Sequence, residues 1–328
     1  MKLCHIPGTM AYRSRPRRGA MIDSRIEWTH DTVNPWWGCS TVSPGCEHCY
    51  AQALGHRFGV AWGMKADRRL RVDAALRDLR KSAKVAERTG ERRRVFIASM
   101  ADVWDQHPDL VEPREQFLSA LRAMGADCGL TPILLTKRAR EQAAWAREHD
   151  WPTWWVPMVT VEDQRRAEER IPQLLSIDAP VRGLSCEPLL GDVNLNPWLV
   201  NVIEQQRGTE TQSIDLDGDV VPADEERVNL GCTAPARRKP LGWVIAGGES
   251  GRGARPMHAD WARSLRDQCA AAGVPFFFKQ WGAWAPADRG TGARLVGKRA
   301  AGRNLDGKTW DDVPPATLLG GGMSDLAR

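Results

Sequence analysis

Along the chain, short runs of consecutive apolar residues alternate with longer stretches in which apolar residues recur every three or four positions. The runs are 95–98 (VFIA), 133–135 (ILL), 155–161 (WVPMVTV), 181–185 (VRGLS), 242–246 (GWVIA) and 275–279 (PFFFK), with 26–28 (IEW) a weaker one near the start. The helical stretches cover 47–58, stopped by Gly59, then 67–89, 112–124, a segment running to His149, 163–175 and 259–272. Strands buried on both faces are continuously apolar, as these are, and such strands belong to parallel sheets covered by helices. Strand then helix, repeated about six times, predicts crossover units. The expected fold class is α/β, a parallel (β/α) partial barrel of about six to seven strands. An open doubly wound sheet is the second topology the pattern allows.

Two segments break the rhythm. Residues 201–239 are polar and read as an inserted surface loop, and 286–328 are Gly-rich and irregular. Residues 1–21 read as a disordered extension, which leaves 22–285 for the barrel. A hydrophobic share of 42% and a charged share of 27% are those of a soluble globular protein. No run approaches the roughly 20 apolar residues of a membrane helix, and the first residues have no apolar core of a signal peptide. The expected compartment is therefore the cytoplasm, with no membrane partner. The net charge of +5 permits contact with nucleic acid without requiring it. The fifteen tryptophans are expected in cores and loops, with stacking on a flat ligand as the alternative.

Three of the eight cysteines, Cys39, Cys46 and Cys49, lie in the stretch GCSTVSPGCEHCY at 38–50. Cytosolic thiols stay reduced, so this cluster points to a metal or iron–sulfur site. A structural zinc closes with four ligands. His48, His30 and His56 are the candidates for the fourth. A cubane cluster also takes four, and three cysteines would leave one iron open, as a reaction site needs. In parallel sheets the chemistry gathers at the C-terminal ends of the strands. Those ends carry Ser99, Asp102, Thr136, Lys137, Arg138, Glu162, Glu187, Glu249, Ser250, Lys279 and Gln280. Cys186 stands at one strand end, with a buried core thiol as its plainer reading. Cys128, Cys232 and Cys269 are expected to be small buried hydrophobes.

A three-cysteine loop ending in CxxC plus an aromatic, after the first strand of a parallel barrel, resembles the radical SAM superfamily. That superfamily's usual spacing is CxxxCxxC, and the first gap here is longer. With NPWWGC before it and SPGCEHCYA after it, and with FIASMADVWD, LSCEPLLGDV, WVIAGGESGRGARPM, GVPFFFKQWG and GRNLDGKTWDD downstream, the chain is similar to a phage-associated three-Cys-motif family of unknown function. The resemblance implies that Cys39, Cys46 and Cys49 bind three irons of a [4Fe-4S] cluster. S-adenosylmethionine (SAM) would complete the fourth. It implies that Tyr50 approaches the adenine and that Asp102 or Ser99 holds the methionine amine. Gly247, Gly248 and Glu249 would line the adenosine or substrate pocket. Lys137, Arg138, Glu187, Arg255 and Lys279 would contact substrate or SAM. The implied activity is reductive cleavage of SAM followed by radical chemistry on a substrate for which nucleic acid or a nucleotide is open. The implied partners are an electron donor protein and a neighbouring three-Cys-motif partner protein. Two other readings compete. One is a zinc-stabilised nucleic-acid-binding phage accessory protein, and the other is a barrel that binds a partner without catalysis.

Overall fold

The structure is a computed structural model that describes residues 21–199, 241–286 and 292–319. The N-terminal extension up to residue 20, the insertion expected at 201–239, and Cys4 and Cys232 lie outside the described residues. The main sheet has eight strands in the order β1-β2-β5-β6-β7-β8-β9-β10. These are β1 (Met21–Ile22), β2 (Asp31–Val33), β5 (Arg93–Ile97), β6 (Leu130–Thr136), β7 (Val156–Thr160), β8 (Gly183–Cys186), β9 (Trp243–Gly247) and β10 (Phe276–Gln280). The last seven are parallel, and only β1 runs antiparallel, against β2. This is the partial (β/α) barrel expected from the sequence. The first strand, however, is Asp31–Val33 and not 26–28. Trp28 instead turns inward as part of the barrel filling.

Alternation along each strand separates two cores. Inward residues Phe96, Ile133, Val156, Met158, Trp243, Ile245 and Phe277 fill the barrel around Trp28. Trp28 lies 4.9 Å from Phe96 and 6.1 Å from Trp243, ring centre to ring centre. Outward residues such as Val95, Ile97, Leu134, Val159, Leu184, Val244 and Phe278 meet the helices. Those helices are α1 (Tyr50–Arg57), α2 (Val72–Thr89), α3 (Val111–Ala123), α4 (Ala139–His149), α5 (Gln164–Leu175) and, after the short α6 (Asn196–Leu199), α7 (Ala259–Ala271). In α2 the buried positions 72, 75, 79, 82 and 86 follow the helical period, and Gly90 ends the helix at φ 67°. In α5 the Asp163 carboxylate caps the first turn by accepting from Arg166 N–H at 2.9 Å.

Most tryptophans serve packing, as the composition suggests. Trp104, Trp145, Trp151, Trp154 and Trp155 form one ring network against the outer face of the sheet. Cys186 and Cys269 are both buried in the outer core, so Cys186 points away from the barrel mouth. The short strands β3 (Trp36–Trp37) and β4 (Arg69–Leu70) pair beside the cysteine loop. β11 (Trp284–Pro286) and β12 (Ala293–Leu295) form a hairpin-like pair. The end of the chain then returns to the barrel. Phe278 N–H donates to Trp310 O, Asp312 N–H donates to Phe276 O, and Leu319 enters the inner core. This return covers the exposed edge of β10, which would otherwise offer unpaired backbone groups.

Candidate functional site

The seven parallel strands present their C-terminal ends to one cavity, and the loop after β2 crosses over it. The cavity holds about 1060 Å³ of empty space, its open mouth included. Cys39, Cys46 and Cys49 all line it. So do Tyr50, Ser99, Asp102, Lys137, Arg138, Glu187, Gly248, Glu249 and Lys279, whereas Gly247 ends β9 just behind, and Glu162, Arg255 and Gln280 are not among the lining residues. Of the three histidines considered as ligands, only His48 reaches the cavity. His30 lies on the far side, accepting from Arg94 N–H at 2.8 Å, and His56 is exposed on α1.

Three clamps, two of them buried, hold the cysteine loop to the barrel. At its start, the Arg138 guanidinium donates to Ser40 O at 3.0 Å and Ser40 Oγ at 2.8 Å, and stands 3.6 Å from Cys39 Sγ. Arg138 is itself held by Asp102 and Asp105, each at 3.1 Å, and Asp105 is shared with Arg68. Burial works against the charge on Arg138, but Asp102, Cys39 and Asp105 outweigh it and hold the guanidinium firmly protonated. The same burial, with the charge of Asp102, pushes the Cys39 thiol up to about 12 despite Arg138.

In the middle of the loop, Ser43 Oγ donates to Glu162 Oε1, and Arg170 donates to the other carboxylate oxygen at 2.8 Å. Gly45 lies directly over Glu162, and a Cβ there would fall 2.5 Å from Oε1. At the far end, Arg255 grips Glu249 with Nε and Nη2, at 3.0 and 2.7 Å. It also reaches Glu47 at 2.9 Å and Pro44 O at 2.8 Å. The loop is thus pinned from the ends of β6, β7 and β9. Burying an ion pair is costly unless its charges are well bonded; the Arg138 and Arg170 pairs are buried and hydrogen-bonded, while Arg255 stays about a third exposed.

The other rim residues divide by partner. Lys279 Nζ bridges both oxygens of Glu187 at 2.7 and 2.8 Å, and Gln280 Nε2 adds a third contact at 3.2 Å. Asp102, expected from the resemblance to serve SAM, is already bonded by Thr136 Oγ1, Lys137 N–H, Trp104 N–H and Arg138. Ser99 shares its hydroxyl with the Asn34 amide, and Tyr50 Oη donates to Ser99 O at 3.0 Å. The half-buried Lys137 ammonium makes no hydrogen bond or ion pair among the described residues. Trp28 lines the cavity too, and its buried indole N–H is without a partner among the described residues.

Among the described residues no three His, Cys, Asp or Glu side chains converge closely enough to share a single metal ion. Ser40, Ser43, Asp105, Arg68 and Arg170 were not anticipated from the sequence. Their signal is the pairing of residues 8 positions apart for Arg170 with Glu162 and 33 to 119 apart for the others, which no short motif carries. Arg138 and Arg255, expected as ligand contacts, spend their guanidinium groups on the loop.

A family model described as "Protein of unknown function (DUF5131)" matches residues 23–314. The chain belongs to this family. The DUF5131 match spans the cysteine loop, all seven parallel strands and all three loop clamps. No curated protein matches the sequence. Among solved structures, a mutant of spore photoproduct lyase is similar at a TM-score of 0.41 and 13% identity, over 85% of this chain and 72% of that one. No helix of the DUF5131 chain is long and apolar enough, among the described residues, to cross a membrane.

Proposed function

We propose that this DUF5131 protein is a radical SAM-type enzyme in which Cys39, Cys46 and Cys49 hold a [4Fe-4S] cluster over the barrel mouth. The observation that carries the reading is the placement of three thiols, from a loop pinned by three ion pairs of which two are buried, on one cavity at the C-terminal ends of parallel strands. The donor set fits the group. Three thiols facing one cavity match the three protein ligands of a cubane that keeps one iron open, whereas a structural zinc needs a fourth ligand beside them. Arg138 places a positive charge 3.6 Å from Cys39 Sγ, which partly offsets the burial and the Asp102 charge that hold this thiol protonated. When bound, the cluster would supply the electron for reductive cleavage of SAM.

The chain's own residues would bind and orient. Lys137, whose ammonium has no partner, would take the SAM carboxylate. Ser99 would take the amine, and Tyr50 with Gly248 would flank the adenosine. Asp102 acts through others, bracing Arg138 and the Thr136–Lys137 turn. Glu187 and Lys279 face the cavity as a joined acid–base pair and would meet the substrate. An electron donor protein and a three-Cys-motif partner protein belong to the same reading.

The test compares Cys46→Ala with Cys128→Ala under anaerobic reconstitution. The expected result is loss of bound iron and of methionine release from SAM in Cys46→Ala, with both kept in Cys128→Ala. Full iron content in Cys46→Ala would overturn the assignment.

A further inference from the structure

Beside the cavity mouth lies a surface whose make-up differs from the rest of the molecule. Of the nine large hydrophobic side chains exposed among the described residues, five fall between residues 42 and 70: Val42, Tyr50, Phe58, Met64 and Leu70. The aromatic rings there are connected. Phe58 packs edge-on to Trp37 at 5.6 Å, and Trp62 lies against α1 at Gly55. Val42, Tyr50 and Trp62 belong to the cavity wall as well, so surface and cavity are continuous.

The same segment is basic. Arg57, Lys65, Arg69 and Arg71 make no ion pair among the described residues. Arg71 stacks over the Trp37 ring at 5.7 Å, and Arg69 bonds only the Gly59 carbonyl, at 3.1 Å. Exposed ring faces interleaved with uncompensated cations match the needs of a flexible polyanion with flat bases. Bases stack on the rings, and phosphates meet the cations.

We propose that this face binds single-stranded nucleic acid and leads it into the cavity. That the strand is the substrate rests on the radical SAM reading, whereas its binding does not. The charge excess and the exposed rings favour this occupant over an acidic protein, for which ring faces would have no special value.

The experiment is fluorescence anisotropy with a labelled, mixed-sequence single-stranded DNA of about 15 nucleotides, using the full chain without added SAM. Saturable binding that weakens with salt is expected. Phe58→Leu keeps the apolar bulk but removes the ring face, and should weaken binding about fivefold or more, with Phe58→Trp restoring it. Replacing Arg57 and Lys65 together by Ser should reduce the slope of log K against log salt by about 1.4, since each phosphate contact on a single strand contributes about 0.7. Thermal unfolding of each variant shows that the fold persists. No saturable binding at low salt would overturn the proposal. So would a Phe58→Leu variant that binds as tightly as the parent, or competition by a base-free polyanion as effective as that by unlabelled strand. Loss of strand binding with iron and SAM cleavage intact would sink this proposal alone. The reverse outcome would sink the radical SAM reading alone.

Discussion

Gly45 is the position where one methyl group tests how the cysteine loop is seated. A Cβ at Gly45 would stand 2.5 Å from Glu162 Oε1, 2.6 Å from its Cγ and 2.9 Å from its Cδ. Ordinary contact begins near 3.4 Å, so one side must move by about 0.9 Å. Glu162 has little freedom to do so. It is fully buried, it accepts from Ser43 and Arg170, and its neighbour Asp163 caps α5. The loop must therefore lift, and Cys46 is the next residue. Gly45→Ala should cost about 1–3 kcal/mol of stability, the usual penalty of overpacking a filled site. It should also lower iron retention, because a displacement near 1 Å is enough to spoil a positioned group. Gly191→Ala is the control, since a Cβ there meets Asp163 at an ordinary 3.5 Å. The assays are equilibrium denaturation and iron content after anaerobic reconstitution. A Gly45→Ala protein with unchanged stability and unchanged iron would refute the seating of the loop on Glu162.

Arg138→Met removes the cation shared by Asp102 and Asp105 beneath Cys39, and should destabilise by about 3 kcal/mol, the lower end for a broken buried pair, because Arg68 still serves Asp105. Chemical denaturation checks this, and a loss below about 1 kcal/mol would contradict it. Asp31, in β2, is buried, which raises its pKa, but the hydrogen bonds from Arg93 and Ser82 more than reverse that and hold it below the usual carboxylate value. A folded pKa below the unfolded one gives stability that is present above the unfolded value and lost as the pH falls through the folded one. Stability should thus decline below about pH 4, and Asp31→Asn should flatten that decline while destabilising the protein at neutral pH. Urea titrations at a series of pH values measure both. Gly248→Ala would place a Cβ 2.0 Å from the Trp281 carbonyl, so melting should drop sharply, and an unchanged melting temperature would mean the β9 and β10 ends are spaced wider than described.

The strands from 95 to 279 were legible because both sheet faces are covered, so each strand is an unbroken apolar run that no loop would carry. The first strand was not. Asp31 and Thr32 sit inside it, and their polarity is tolerated only because Arg93, Ser82 and the sheet bonds satisfy them. The more apolar Ile26 to Trp28 stretch took its place in the reading, and Trp28 is a barrel filler instead. The rim was legible as a set, since strand ends are where polar residues replace apolar ones. The partners within it were not. Nothing local to Arg138 or Arg255 says that they grip the loop, and nothing near Lys137 says that it is left unpaired. Those facts arise from residues brought together across the mouth of the barrel. The spacing of Cys46 and Cys49 reads directly as a shared site, whereas the support from Glu162, 119 positions after Ser43, becomes visible only in three dimensions.

The central claim is that Cys39, Cys46 and Cys49 hold an iron–sulfur cluster. Its most direct test is the iron and sulfide content of the protein purified without oxygen, read together with the visible spectrum. About four irons and four sulfides per chain, with a broad band near 400 nm that bleaches on reduction, is the result this account expects. One zinc per chain, with no iron, no sulfide and no colour after anaerobic reconstitution, would contradict it.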